Sequence, residues 1–166
     1  MEYMERKDIL QRVLHSFEQY YDVKAGEEPF AAEAEFHSHT EQYLLIRAAR
    51  VADIDSHEYV FFVEEENLTT DRLELLVKAA WDKGISKVHP CPGHRSSDIA
   101  LIIIADTIEE SALKQISCIK YSKSYRFSIW GWSSLRLMAY EVSSGRISCN
   151  RLGRSLKKLV SIKGKK

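Results

Sequence analysis

Two clusters of residues in this chain of 166 have the types and spacing to do chemistry. The longer is Lys120-Tyr121-Ser122-Lys123-Ser124-Tyr125-Arg126-Phe127, with Trp130 and Trp132 beyond it. Read as a strand, it puts Tyr121, Lys123, Tyr125 and Phe127 on one face and Lys120, Ser122, Ser124 and Arg126 on the other. Rings stack on unpaired bases and cations meet phosphates, so Lys120, Lys123, Tyr125 and Arg126 are candidate contacts to single-stranded nucleic acid. Arg154, Lys157 and Lys158, in the basic stretch that closes the chain, extend the set. The same alternation also describes a sheet with rings turned to the core and charges to water. The second cluster, His89-Pro90-Cys91-Pro92-Gly93-His94, gathers three metal-type donors: His89, Cys91 and His94. Structural zinc takes four ligands in two spaced pairs, so a fourth would come from Cys118, Cys149 or another histidine. Without it the segment is a loop with a free thiol. Zinc or another divalent cation is the one cofactor this chemistry suggests.

Other constellations are thinner. His37-Ser38-His39 places two imidazoles on one strand face, with His57 as a third donor if a meander brings it near. The pair resembles the His-x-His of cupins, although the carboxylate there follows at longer spacing than Glu41 does. There is no Gly-x-Ser-x-Gly elbow, no Gly-x-Gly-x-x-Gly and no phosphate-binding Gly-Lys-Ser/Thr loop. No complete catalytic motif is found, and the reading leans away from an enzyme.

Composition sets the frame for these residues. Apolar residues make up 45% and charged residues 29%, as in an ordinary globular domain. The three cysteines are odd in number and unpatterned, and no signal-peptide pattern opens the chain. Both point to a reducing cytoplasm, with no membrane partner. The net charge of zero hides an asymmetry: residues 1–83 hold 19 carboxylates and 9 cations, residues 84–166 hold 5 and 15. Such a split suits a polyanion partner, or two halves that fold against each other and neutralise locally.

The element that must position everything else is the apolar run at residues 99–105, Ile-Ala-Leu-Ile-Ile-Ile-Ala. Its length and β-branched content predict a central strand buried on both faces. It is far too short to cross a bilayer, which takes about 20 apolar residues. Before it, residues 4–22 carry Ile9, Leu10, Val13, Leu14, Phe17 and Tyr21 at helical spacing. Strand patterns follow at residues 30–39, 43–51 and 58–65, joined by short polar connections that predict an antiparallel meander. Residues 71–83 read as a helix, with Asp71 and Glu74 as a capping box, Thr70 as a rival N-cap and Gly84 as its stop. Thr107 and Glu110 have the same capping-box spacing ahead of a short helix to about residue 116. Residues 118–130 read as a strand, 135–142 and 146–150 as a hairpin across Ser143-Ser144-Gly145, and 151–162 as a basic closing helix.

The order helix, three strands, helix, strand resembles the core of restriction-endonuclease-like nucleases over residues 4–105. That resemblance implies metal-binding carboxylates at Asp53 or Asp55 and at Glu64-Glu65-Glu66. It is incomplete, because Glu66 stands where the family's acid-x-Lys motif has lysine. A second resemblance rests on Lys-Ser-Tyr-Arg-Phe at 123–127, Gly-Trp-Ser-Ser-Leu-Arg-Leu at 131–137 and Asn150-x-x-Gly153. It takes in Glu35-Phe36-His37-Ser38 and Glu58-Tyr59-Val60-Phe61-Phe62 as well. These residues are similar to a group of small uncharacterised bacterial cytosolic proteins, which implies a cytosolic single-domain protein and transfers no catalytic residue.

The expectation is therefore one α+β domain over residues 1–166, with a mixed or mainly antiparallel sheet around residues 99–105 and helices packed on it. The function expected is a non-catalytic binding or protein-interaction module of unknown partner. The alternative is a nucleic-acid-binding or divergent metal-dependent nuclease-like domain. The exposed edge of the terminal hairpin offers a seam for a homodimer.

Overall fold

A computed structural model describes residues 4–37, 55–92 and 94–160. At its centre, β4 (His94–Ile108) runs parallel to β3 (Asp55–Leu68) on one side and to β6 (Trp132–Glu141) on the other. The apolar run lies within β4, and every residue from Ile99 to Ala105 is fully buried. A strand flanked on both edges and covered on both faces needs this composition, so the central assignment holds.

The two faces divide by parity. Ile99, Leu101, Ile103 and Ala105 point into one core, with Leu73, Leu76 and Ala80 of α2 (Thr70–Ser86) and Ala112 and Ile116 of α3 (Glu110–Cys118). Ala100, Ile102 and Ile104 point into the other, with Ile9, Leu10, Val13 and Phe17 of α1 (Arg6–Phe17). Outside β3, the short strands β1 (Asp22–Ala25) and β2 (Ala32–His37) complete an antiparallel meander. Outside β6, β5 (Ser122–Ser124) and β7 (Ile147–Cys149) share its free edge end to end, both antiparallel. The result is a mixed seven-stranded α+β sheet in a single domain.

Several boundaries differ from the sequence reading, each for a local reason. α1 stops at Phe17, and Tyr21 turns back so that its hydroxyl donates to Glu58 Oε2 at 2.6 Å. The residues after it become β1, which pairs Val23 with Ala34. The meander's first strand is therefore β1, and the strand predicted at residues 43–51 lies outside the described residues. The polar segment expected as a turn before β3 is strand from Asp55 onward.

α2 is capped by Thr69, whose side chain accepts from the Arg72 amide at 3.1 Å, in place of the Asp71 or Thr70 caps. It runs through Gly84 instead of stopping there. A Cβ at Gly84 would lie 2.6–2.9 Å from the Ile99 side chain, so this glycine serves the close approach of helix to sheet. The Thr107–Glu110 box does not form, because the Thr107 hydroxyl bonds Asn67 Oδ1 at 2.9 Å. The Glu109 carboxylate instead accepts from the Thr70 amide, joining the starts of α2 and α3.

The terminal hairpin is found, with Tyr140 opposite Ile147, but its loop begins one residue earlier, at Val142, whose amide donates to the Ala105 carbonyl at 2.8 Å. The closing helix is a 3₁₀ helix (Leu152–Leu159), with Leu156 buried and Leu152 exposed. The sheet order also answers the charge question. Strands of the acidic half form one edge and strands of the basic half the other, so the asymmetry along the chain becomes an asymmetry across the sheet.

Candidate functional site

All seven candidate nucleic-acid contacts belong to the β6 side of the sheet. Lys123 sits on β5 opposite Ser133, Lys120 just before it, and Tyr125 and Arg126 just after. Arg154, Lys157 and Lys158 ride on the 3₁₀ helix, which packs on β6. The predicted alternation through Phe127 fails, because helix α3 reaches Cys118 and β5 is only three residues long. From residue 125 the chain turns over, with the Tyr125 amide donating to the Gly131 carbonyl at 2.9 Å. The Trp130 amide donates to the Tyr125 carbonyl at 3.1 Å.

Within this turn Arg126, Phe127 and Ser128 have φ of 44°, 54° and 68°. A left-handed backbone costs about 1 kcal/mol or more for each such residue, and consecutive ones persist only where the surroundings over-determine them. The turn aims its apolar side chains outward. Phe127 is 97% exposed, Ile129 75% and Trp132 48%. Ile129 escaped the sequence reading, since nothing in its neighbourhood marks a left-handed turn.

Beneath the tip lies a polar support. His94 Nδ1 donates to the Trp130 carbonyl at 2.7 Å, which leaves Nε2 to accept from the Ser97 hydroxyl at 2.8 Å. The Tyr125 and Ser133 hydroxyls bond at 2.9 Å. A serine on an imidazole held from behind is also how nucleophiles are activated. Here Ser97 is only 1% exposed, and the pair serves as an anchor for the turn. His94 is thus not a free metal donor, while His89 and Cys91 stay exposed. The structure does not bring the three together: among the described residues no group of three metal-type donors forms.

Charge and ring are already matched at the tip. The Arg126 guanidinium lies 4.0 Å from the Trp130 ring centroid, and Lys123 Nζ lies 5.6 Å from that of Tyr125. Among the described residues, no carboxylate forms an ion pair with Lys120, Lys123, Arg126, Arg154 or Lys158. Several cations elsewhere are neutralised, as where Lys83 meets Glu33 at 2.5 Å and Arg72 meets Glu65 at 2.7 Å.

A second polar group crosses the opposite face of the sheet. Register places Glu58 beside Asp98, and Asp98 beside Ser134. Arg136 donates to Asp98 Oδ2 at 2.9 Å, and the Ser134 hydroxyl to Oδ1 at 3.2 Å. Burial pushes the Glu58 carboxyl above the ordinary carboxylate range and Asp98 adds to this, against the Tyr21 hydrogen bond and the Arg136 charge. Burial and then Glu58 push the Tyr21 phenol far above its usual range. A carboxyl raised on folding contributes stability at low pH that is lost as pH rises through its folded value. Glu58→Gln keeps an acceptor for Tyr21, so it is expected to melt higher than the parent at neutral pH. The gap should close as pH falls toward the carboxylate range. Thermal melts across pH check this, and a variant that melts lower at neutral pH would reject it.

The nuclease-like resemblance is not confirmed. Glu64 Oε1 faces Arg6 Nε at 3.6 Å and Glu65 binds Arg72, so these carboxylates meet arginines at the far end of β3 from Asp55. Asp53 and His39 lie outside the described residues. No curated protein and no solved structure matches the chain. A family described as Domain of unknown function (DUF8052) matches residues 5–162, so the chain belongs to that family.

Proposed function

We propose that the protein is a non-catalytic binding module whose contact surface is the β6 side of the sheet, centred on residues 120–132. The observation that carries this reading is the strained turn at Arg126, Phe127 and Ser128, which holds large apolar side chains in water beside cations lacking carboxylate partners among the described residues. Strain and solvated apolar surface both cost stability, and surfaces that keep both are interaction sites. The cations give the partner's sign: it is anionic. Single-stranded nucleic acid is a second reading, supported by the interleaving of Lys123, Tyr125, Arg126 and Trp130.

The test is retention on a heparin column, with the double variant Lys123→Glu and Arg126→Glu beside a control, Lys7→Glu and Arg12→Glu. The control carries the same charge change on exposed positions of α1. The edge variant is expected to elute at clearly lower salt than the control, both with the parent's melting temperature. Equal elution of the two would show that net charge alone matters and would end the reading.

A further inference from the structure

We propose that the tip at residues 126–132 docks on an anionic bilayer surface, with its apolar side chains among the headgroups and its cations at the level of the phosphates. The inference rests on the β6-side binding surface above and goes further by naming the partner. Four features favour a bilayer over a nucleic acid. First, the apolar side chains project from a convex turn, whereas single-strand binders track the backbone in a groove lined with rings. Second, Ile129 has no π-face for a base, and the Trp130 and Tyr125 rings already carry Arg126 and Lys123.

Third, Phe, Ile and Trp beside Lys and Arg make up the set that partitions to membrane interfaces, where long cationic side chains keep their charge at the headgroups. Fourth, part of the main chain of the turn is already satisfied within the protein. The amides of Tyr125, Ile129, Trp130 and Gly131 all donate within the turn, and the Trp130 carbonyl accepts from His94. These groups can enter a poorly hydrating layer without losing a water partner. The turn's fixed shape also means that little loop entropy is lost on docking. The depth is that of a surface contact, and no described helix is long and apolar enough to cross a membrane.

The experiment is co-sedimentation of the full chain with vesicles of phosphatidylcholine alone or mixed with phosphatidylserine, at low and moderate salt. A single-stranded oligonucleotide titration runs beside it. The parent is expected to pellet with the mixed vesicles and not the neutral ones. Phe127→Ser with Ile129→Ser should lower that partitioning roughly tenfold or more while leaving the melt unchanged, since both side chains are exposed. Lys123→Glu with Arg126→Glu should lower it as well, and more steeply at low salt. A parent that ignores the mixed vesicles, or a serine variant that pellets like the parent, overturns the bilayer assignment. Oligonucleotide binding without vesicle binding, abolished by the charge reversals, overturns it while leaving the β6-side surface as the binding site. Binding of either probe that survives the charge reversals overturns the surface itself.

Discussion

Replacing Ile103 by aspartate is expected to leave no folded protein. Ile103 is fully buried on β4, opposite Val63 on one side and Ala139 on the other, and it faces the core beneath α2 and α3. The substitution removes an apolar side chain worth about 2–5 kcal/mol when lost from a core. It also buries a carboxylate, which costs several kcal/mol more even after relaxation. Total stability for such a domain is about 5–15 kcal/mol, so the loss consumes most or all of it. Far-UV circular dichroism and one-dimensional NMR of the purified chain check the outcome. Ile103→Val is the companion, expected to stay folded at a cost of about 0.5–1.5 kcal/mol. A soluble aspartate variant with a cooperative melt near the parent's would mean that residues 99–105 are not the centre of the sheet.

The second large effect is expected at Asn150. β5 pairs with β6 up to Ser134, and β7 pairs with it from Met138 onward. The Asn150 side chain fills the gap between them. Its Oδ1 accepts from the amides of Leu137 at 2.9 Å and Gly153 at 2.8 Å, and its Nδ2 donates to the carbonyls of Leu135 at 2.9 Å and Ile119 at 3.1 Å. Both donors and both acceptor bonds of one amide are used, in a site that excludes water. Gly153 completes the arrangement, because a Cβ there would stand 2.2 Å from the Leu137 carbonyl oxygen.

Asn150→Ala strands several buried backbone groups at about 1–3 kcal/mol each before relaxation, giving an expected loss of about 3–5 kcal/mol, an unusually large value for one residue. Asn150→Asp keeps the size and the acceptors but loses the two donors, so it should fall nearly as far. Urea unfolding midpoints measure both. A loss below about 1 kcal/mol in the alanine variant would show that the amide is not holding the strand edge.

What the sequence made legible follows from the range of the forces involved. The run at 99–105 announces itself because burial on both faces demands apolar residues without interruption, and the stripes of α1 and α2 because one-sided burial demands them periodically. The terminal hairpin was legible from Ser143-Ser144-Gly145. Thr107 and Glu110 misled because the spacing of a cap does not reveal that Asn67, forty residues earlier, will take the threonine hydroxyl. Lys123 to Phe127 misled through the turn, since period-two reasoning assumes extended backbone and three left-handed residues reverse it.

The residue types of the candidate surface were nevertheless legible, because cations and rings interleave there in any conformation. Glu58, Asp98 and Arg136 could not be picked out as a group. Only the register of two parallel pairings makes them neighbours, and that register depends on the pairing of segments far apart in the chain.

The placement of the two charge-biased halves on opposite edges has a kinetic consequence. A body with no net charge feels no overall pull toward a charged wall, but one with a negative flank and a positive flank feels a torque. Near an anionic wall it rotates until the β6 side leads, within the roughly 8–10 Å over which salt leaves a field unscreened. Encounters that begin in the wrong attitude are corrected before contact, so a larger share of collisions becomes productive without raising the long-range collision rate. The positive flank also attracts a neighbour's negative edge, and crowding on that wall would favour rows in which one molecule's acidic side faces the next one's basic side.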